Sequence, residues 1–195
     1  MKVDILAIGA HPDDVELGCG GTLAKLISEG KTVAIVDLTQ GELGTRGTNI
    51  TRANEAAEIL GITARENLMM EDGFLNNSKA YQLKVVEVIR KYQPEIVFSN
   101  AIDDRHPDHA KASKLVSDSC FLSGLVKIET SIDGINQEVW RPKHIFNYIQ
   151  WKNISPDFVV DVSGFMDVKI KSCLAYKTQF FDPTSTEPMT PIATK

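Results

Sequence analysis

Val3-Asp4-Ile5-Leu6-Ala7-Ile8-Gly9 runs without a break into Ala10-His11-Pro12-Asp13-Asp14-Val15-Glu16. The first seven residues form a short apolar run of the kind that makes a strand buried on both faces. The next seven carry a histidine, a proline and three acids. In a dinucleotide-binding sheet this position holds the glycines that cradle phosphate. Carboxylates here would repel a pyrophosphate. Gly18, Gly20 and Gly21 come later and do not fit the G-x-G-x-x-G spacing. A nicotinamide- or flavin-binding role is therefore a poor reading. The bland alternative for either aspartate is a turn cap.

Working outward, residues 22–29 place Leu23, Leu26 and Ile27 on one helical face and stop at Gly30. Residues 32–39 read as a second strand, 51–60 as a helix striped by Ala53, Ala56, Ala57 and Leu60, and 67–70 as a short third strand. A helix over 79–92, a fourth strand over 95–99 and a helix from Pro107 to Leu122 follow. This alternation predicts an α/β, Rossmann-like fold: a mostly parallel sheet with helices on both faces. Such sheets bind ligands beyond the carboxyl ends of their strands. Farther on, 144–150 and 158–162 read as strands and 163–177 as a helix. No repeat or boundary interrupts the 195 residues, which read as one domain spanning 1–195.

Apolar side chains make up 43% of the chain, a globular value that excludes general disorder. The net charge of −5 argues against a nucleic-acid or anionic-membrane binder. No apolar run approaches the roughly 18 residues that span a bilayer, and Asp4 breaks any secretion signal. Cys19, Cys120 and Cys173 are far apart and form no C-x-x-C pair, which suits reduced thiols in a cytoplasmic protein.

The fourth strand leads into Asp103-Asp104-Arg105-His106-Pro107-Asp108-His109. Two of the chain's four histidines and three acids fall within these seven residues. In the α/β reading this loop shares a rim with His11. A lone histidine is more often structural than a ligand, but two H-P-D elements on one rim favour a metal site. Two histidines and one carboxylate would complete a catalytic zinc site with an open position. Such a metal acidifies a bound water and polarises a carbonyl. Pro107 suits the first helical turn, with His106 at the cap and His109 one turn in. The helix N-terminus favours the neutral imidazole that a metal needs, and His106 stays free for acid or electrophile work. Adjacent side chains of an extended loop point apart. Of Asp13 and Asp14, one can therefore hold metal while the other takes a proton.

His11-Pro12-Asp13-Asp14 and His106-Pro107-Asp108-His109, in this order and separation, resemble the LmbE-like, or PIG-L-like, metal-dependent de-N-acetylases. The resemblance runs through Gly41-Glu42 and Thr51-Arg52 to Tyr176-Lys177. It implies an α/β fold and a divalent metal, usually zinc, with iron(II) or another divalent ion as the alternative. It also implies hydrolysis of an acetamide on a small-molecule amino sugar conjugate. Carried over by motif, His11, Asp14 and His109 are the metal ligands and Asp13 is the general base. His106 is the general acid or oxyanion stabiliser, oriented by Asp108. Within the family, Gly41 to Thr48 and Arg105 are similar to the branch that deacetylates N-acetylglucosaminyl malate in bacillithiol biosynthesis. On that likeness Arg52 binds sugar hydroxyls, while Arg105 and Arg46 face the malate carboxylates. The family often forms homo-oligomers, and its chains run past the position of Lys195, so a shortened C-terminal end is expected.

Two other classes compete. Two histidines and a carboxylate also describe iron(II) oxygenases, which would need oxygen and a co-substrate. A non-catalytic metal- or sugar-binding module would leave Asp13 without a purpose.

Overall fold

The computed structural model describes residues 1–44 and 50–176. All five residues of β1 (Ile5–Gly9) and all seven of β2 (Val33–Thr39) are buried, because helices cover both faces of the sheet. With β3 (Ala64–Met70), β4 (Ile96–Ser99) and β7 (His144–Asn147) they form one sheet in the order β3-β2-β1-β4-β7. Every pairing in it is parallel. Side chains alternate across the sheet. Leu6 and Ile8 pack in one core cluster with Val85 and Ile89 of α3 (Lys79–Tyr92) and Leu115 and Val116 of α4 (Pro107–Leu122). Ile5 and Ala7 pack in another with Val15 and Leu23 of α1 (Asp14–Ser28) and Leu60 of α2 (Ile50–Leu60). The expected α/β fold is the observed one.

Two expectations need correction. The first helix begins at Asp14, not at residue 22. Its glycines disguise it in sequence but have packing reasons. A Cβ on Gly18 would stand 2.2 Å from the Tyr148 ring, and one on Gly21 3.2 Å from Val162. Residues 158–162 form no strand. Their β-branched apolar run finds no ladder partner. Phe158 packs edge-on against Phe146, with ring centroids 5.2 Å apart, while Val159 stays exposed. The third strand is longer than 67–70, and the helix expected over 163–177 is α5 (Met166–Leu174), preceded by a 3-10 turn at Ser163–Phe165.

Between β4 and β7 the chain makes a two-residue ladder of β5 (Ser131–Ile132) and β6 (Ile135–Asn136). Asp133 and Gly134 both take positive φ at its turn, the pair a type I′ hairpin prefers. Arg90 holds the preceding loop through the carbonyls of Ser123, Leu125 and Ile128. No helix among the described residues is long and apolar enough to cross a membrane.

Strand order reverses beside β1, because the chain moves to β2 on one side and to β4 on the other. The loops leaving β1 and β4 therefore diverge and open a crevice, the usual ligand position in such sheets.

Candidate active site

A cleft of about 570 Å³ occupies that crevice, with His11, Asp13, Asp14, His106 and His109 in its lining. The loop after β1 delivers the first three and the start of α4 the other two. Asp14 bridges the two outer histidines. Its Oδ1 lies 3.1 Å from His109 Nε2 and its Oδ2 3.4 Å from His11 Nδ1. The rings of His11 and His109 are 5.5 Å apart by centroid, so both can face one point.

Asp14 is held from behind. Its Oδ2 accepts hydrogen bonds from the His11 backbone N–H (2.9 Å) and Asn100 Nδ2 (3.0 Å), and its Oδ1 from Gln150 Nε2 (2.8 Å). Burial alone would raise its pKa. The imidazoles of His109 and His11 overcome that and hold it well below the usual carboxylate range.

These donors fit a metal. Ligand atoms about 2.0–2.2 Å from a tetrahedral zinc lie roughly 3.3 Å from one another, close to the Asp14–histidine spacings seen here. Two imidazoles and one carboxylate are the donor types such an ion takes. Tighter groups of candidate ligand atoms also exist: His11, His106 and His109, and separately His11, Asp72 and Asp108. Asp14 is in neither; it lies nearest His109 through Oδ1 and nearest His11 through Oδ2. The trio of His11, Asp14 and His109 is the better fit nonetheless, since Asp14 lies within 3.4 Å of both imidazoles and supplies the carboxylate between them.

Asp13 is the N-cap residue of α1, at φ 104°, a region where a non-glycine residue is rare. Its carboxylate makes no cap hydrogen bond. Strain of this kind persists only where the surroundings impose it. Here it turns the carboxylate to the cleft beside Asp14, while Asp14 takes the turn-capping role. Burial, and then the Asp14 charge, pushes the Asp13 carboxyl well above the usual range.

His106 is the N-cap of α4, and Pro107 follows at the first helical position. His106 Nδ1 accepts the Asp108 N–H (3.3 Å). A neutral ring that accepts at Nδ1 carries its proton on Nε2. Burial, and then the His11 charge, lowers the His106 pKa, which keeps the ring neutral. His106 is thus a ready hydrogen-bond donor. The Asp108 carboxylate does not orient that ring, as the motif implies. It accepts from the Gly73 N–H (2.7 Å) and lies 3.7 Å from His11 Nε2. It is the Asp108 backbone that holds His106.

Arg52 and Arg105 both line the cleft. The Arg105 guanidinium lies over the Trp151 ring at 5.2 Å and has no carboxylate partner among the described residues. Arg46 lies outside the described residues. Sequence reasoning missed Asp72, Asn100, Gln150 and Trp151. Each stands just past the carboxyl end of β3, β4 or β7, on the same rim as His11.

The family model for PIG-L, GlcNAc-PI de-N-acetylase, matches residues 6–120. Diacetylchitobiose deacetylase of Thermococcus kodakarensis is 30% identical over 191 residues, covering 90% of this chain and 70% of that protein. The conserved protein TT1542 of Thermus thermophilus superposes with a TM-score of 0.84 at 39% identity, covering 91% of this chain and 80% of that one. N,N'-diacetylchitobiose deacetylase from Pyrococcus horikoshii superposes with a TM-score of 0.78 at 28% identity, covering 91% and 71%. With both histidine loops inside the matched region and the expected sheet beneath them, the chain belongs to the PIG-L family of de-N-acetylases.

Proposed function

We propose that the protein is a metal-dependent hydrolase of a linear amide, removing the acetyl group from an N-acetylglucosaminyl conjugate. The observation that carries this reading is the Asp13 carboxylate, free of any cap hydrogen bond, beside a two-histidine, one-carboxylate donor set with the His106 donor next to it. A divalent metal on His11, Asp14 and His109, zinc in the first instance, would acidify a water and polarise the acetyl carbonyl. Asp13 takes the proton of the attacking water and holds it through the next step. His106 Nε2–H donates to the oxygen that gains charge, a contact worth about 3 kcal/mol in comparable sites. Asp13 then returns the proton to the departing amine, and acetate and the free amino sugar leave.

The finer substrate reading is N-acetylglucosaminyl malate, as in bacillithiol biosynthesis. Arg105 supports it, since an exposed guanidinium without a protein carboxylate among the described residues suits an anionic aglycone. Trp151 favours a second reading, a glycan such as diacetylchitobiose, because indole rings pack against apolar ligand faces. The test is acetate release by zinc-loaded protein under anaerobic conditions, with N-acetylglucosaminyl malate, N,N'-diacetylchitobiose and N-acetylglucosamine as substrates. Metal-dependent release from a conjugate is the expected result. Preference for the malate compound supports the finer reading. No release from any of the three would contradict the activity, and a requirement for oxygen would point to the oxygenase class.

A further inference from the structure

Behind each outer histidine stands a carboxylate that the motifs do not assign. His11 Nε2 donates to Asp72 Oδ1 at 3.0 Å. Asp72 is 5% exposed, and a buried carboxylate persists only where partners satisfy it. Its other oxygen, Oδ2, accepts the Leu43 N–H at 2.9 Å, and its own N–H donates to Glu42 Oε1 at 3.0 Å. Glu42 Oε2 in turn accepts the Gln40 N–H at 3.2 Å. Gln40, Gly41, Leu43 and Gly44 form one wall of the cleft. Asp72 therefore sits between a candidate metal ligand and the segment that a substrate must touch.

We propose that Asp72 is a positioning residue that fixes His11 with its proton on Nε2, so that Nδ1 faces the metal, and ties that ligand to the 40–44 wall. The inference rests on the reading of His11 as a metal ligand. Its physical basis is the rule that a ligating histidine gives its second N–H to an outer acceptor, which sets tautomer and ring orientation. The other histidine provides an internal contrast. His109 Nδ1 lies 3.3 Å from Asp104 Oδ2, a longer contact than that of His11 with Asp72. Asp104 is also engaged by the backbone N–H groups of Arg105 and Trp151 on the opposite wall. Both walls thus reach the metal floor through a carboxylate, Asp72 by the shorter contact.

Cobalt(II) is the probe, because its visible absorption reports coordination geometry. Affinity is read by chelator competition on the full chain, and the melting of each metal-free variant is recorded beside it. Asp72→Asn is expected to weaken cobalt binding about 10- to 100-fold and to shift the visible band. Asp104→Asn is expected to have a smaller effect. Asp72→Ser shortens the side chain so that its hydroxyl falls short of His11 Nε2, and it must lose affinity as well. Glu42→Gln leaves the His11 contact in place. It is expected to raise KM about fivefold, the scale of one weakened hydrogen bond, while affinity for cobalt stays near the parent value. A purely structural Asp72 would lower the melting temperature and leave the affinity of folded protein unchanged. Parental cobalt affinity in both Asp72 variants would overturn the inference and spare the metal centre. A parent chain that binds no cobalt would overturn both.

Discussion

The floor and the walls of the cleft are built differently. On the floor, Asp14 is 3% exposed and its two oxygens accept three hydrogen bonds, from the His11 backbone, Asn100 and Gln150. On the walls, Leu43 is 65% exposed and Trp151 49%. The Arg105 guanidinium rests there on the Trp151 ring. A preorganised floor fixes which reaction is possible, because groups locked before substrate arrives need no reorganisation during the step. Exposed walls fix which conjugate is taken, and they can change without disturbing the chemistry. Substitutions should therefore separate into losses of metal or kcat at the floor and changes of KM at the walls.

The largest effect is expected from His109→Ala. It removes one of three ligands, so stoichiometric metal should disappear from purified protein by elemental analysis, and acetate release with it. Next comes Asp13→Ala, which should keep the metal yet lose on the order of a hundredfold to ten-thousandfold in kcat. Near-parental turnover would refute its role as base and blur the distinction between the aspartates. At the wall, Arg105→Ala should raise KM for N-acetylglucosaminyl malate on the order of tenfold, with kcat held and N-acetylglucosamine unaffected. A kcat loss instead would move Arg105 to the floor.

The smallest effect concerns pH and the metal-free protein. Burial would lower the His11 and His109 pKa values, but facing carboxylates (Asp108, Asp14 and Asp72 on His11; Asp14 and Asp104 on His109) raise them above the ordinary histidine value. A pKa raised in the folded state gives stability that is full below about pH 6.5 and is lost as pH rises through the folded value. Asp14 is depressed, so its contribution is present above about pH 4 and is lost as pH falls through its folded value. Chemical denaturation of metal-free protein should show the histidine contribution declining as pH rises through their folded values and the Asp14 contribution declining at acid pH. Bound metal should remove the decline on the alkaline side, because it needs the histidines unprotonated.

Much of this was legible in the sequence. A strand covered on both faces must be apolar throughout, so β1 and β2 were visible as runs. His11, Asp13, Asp14, His106 and His109 were visible because two histidine-rich loops each follow a strand. The start of α1 was hidden, since glycine at 18, 20 and 21 reads as loop until Tyr148 and Val162 are seen pressing on it. The β-rich run at 158–162 misled because strand propensity carries no information about a partner strand. Asp72, Asn100 and Gln150 are single polar residues past strand ends, and only contacts with His11 and Asp14 distinguish them. Asp108 shows the limit of motif transfer: its place in the loop was right, but its carboxylate faces His11 and Gly73.

The central claim is that His11, Asp14 and His109 hold one ion at the floor. Anomalous diffraction at the zinc edge from crystals of zinc-loaded protein tests it most directly. The account predicts one strong peak within about 2.0–2.2 Å of a donor atom on each of these three residues. A peak among His11, Asp72 and Asp108, or none in the cleft, would contradict it.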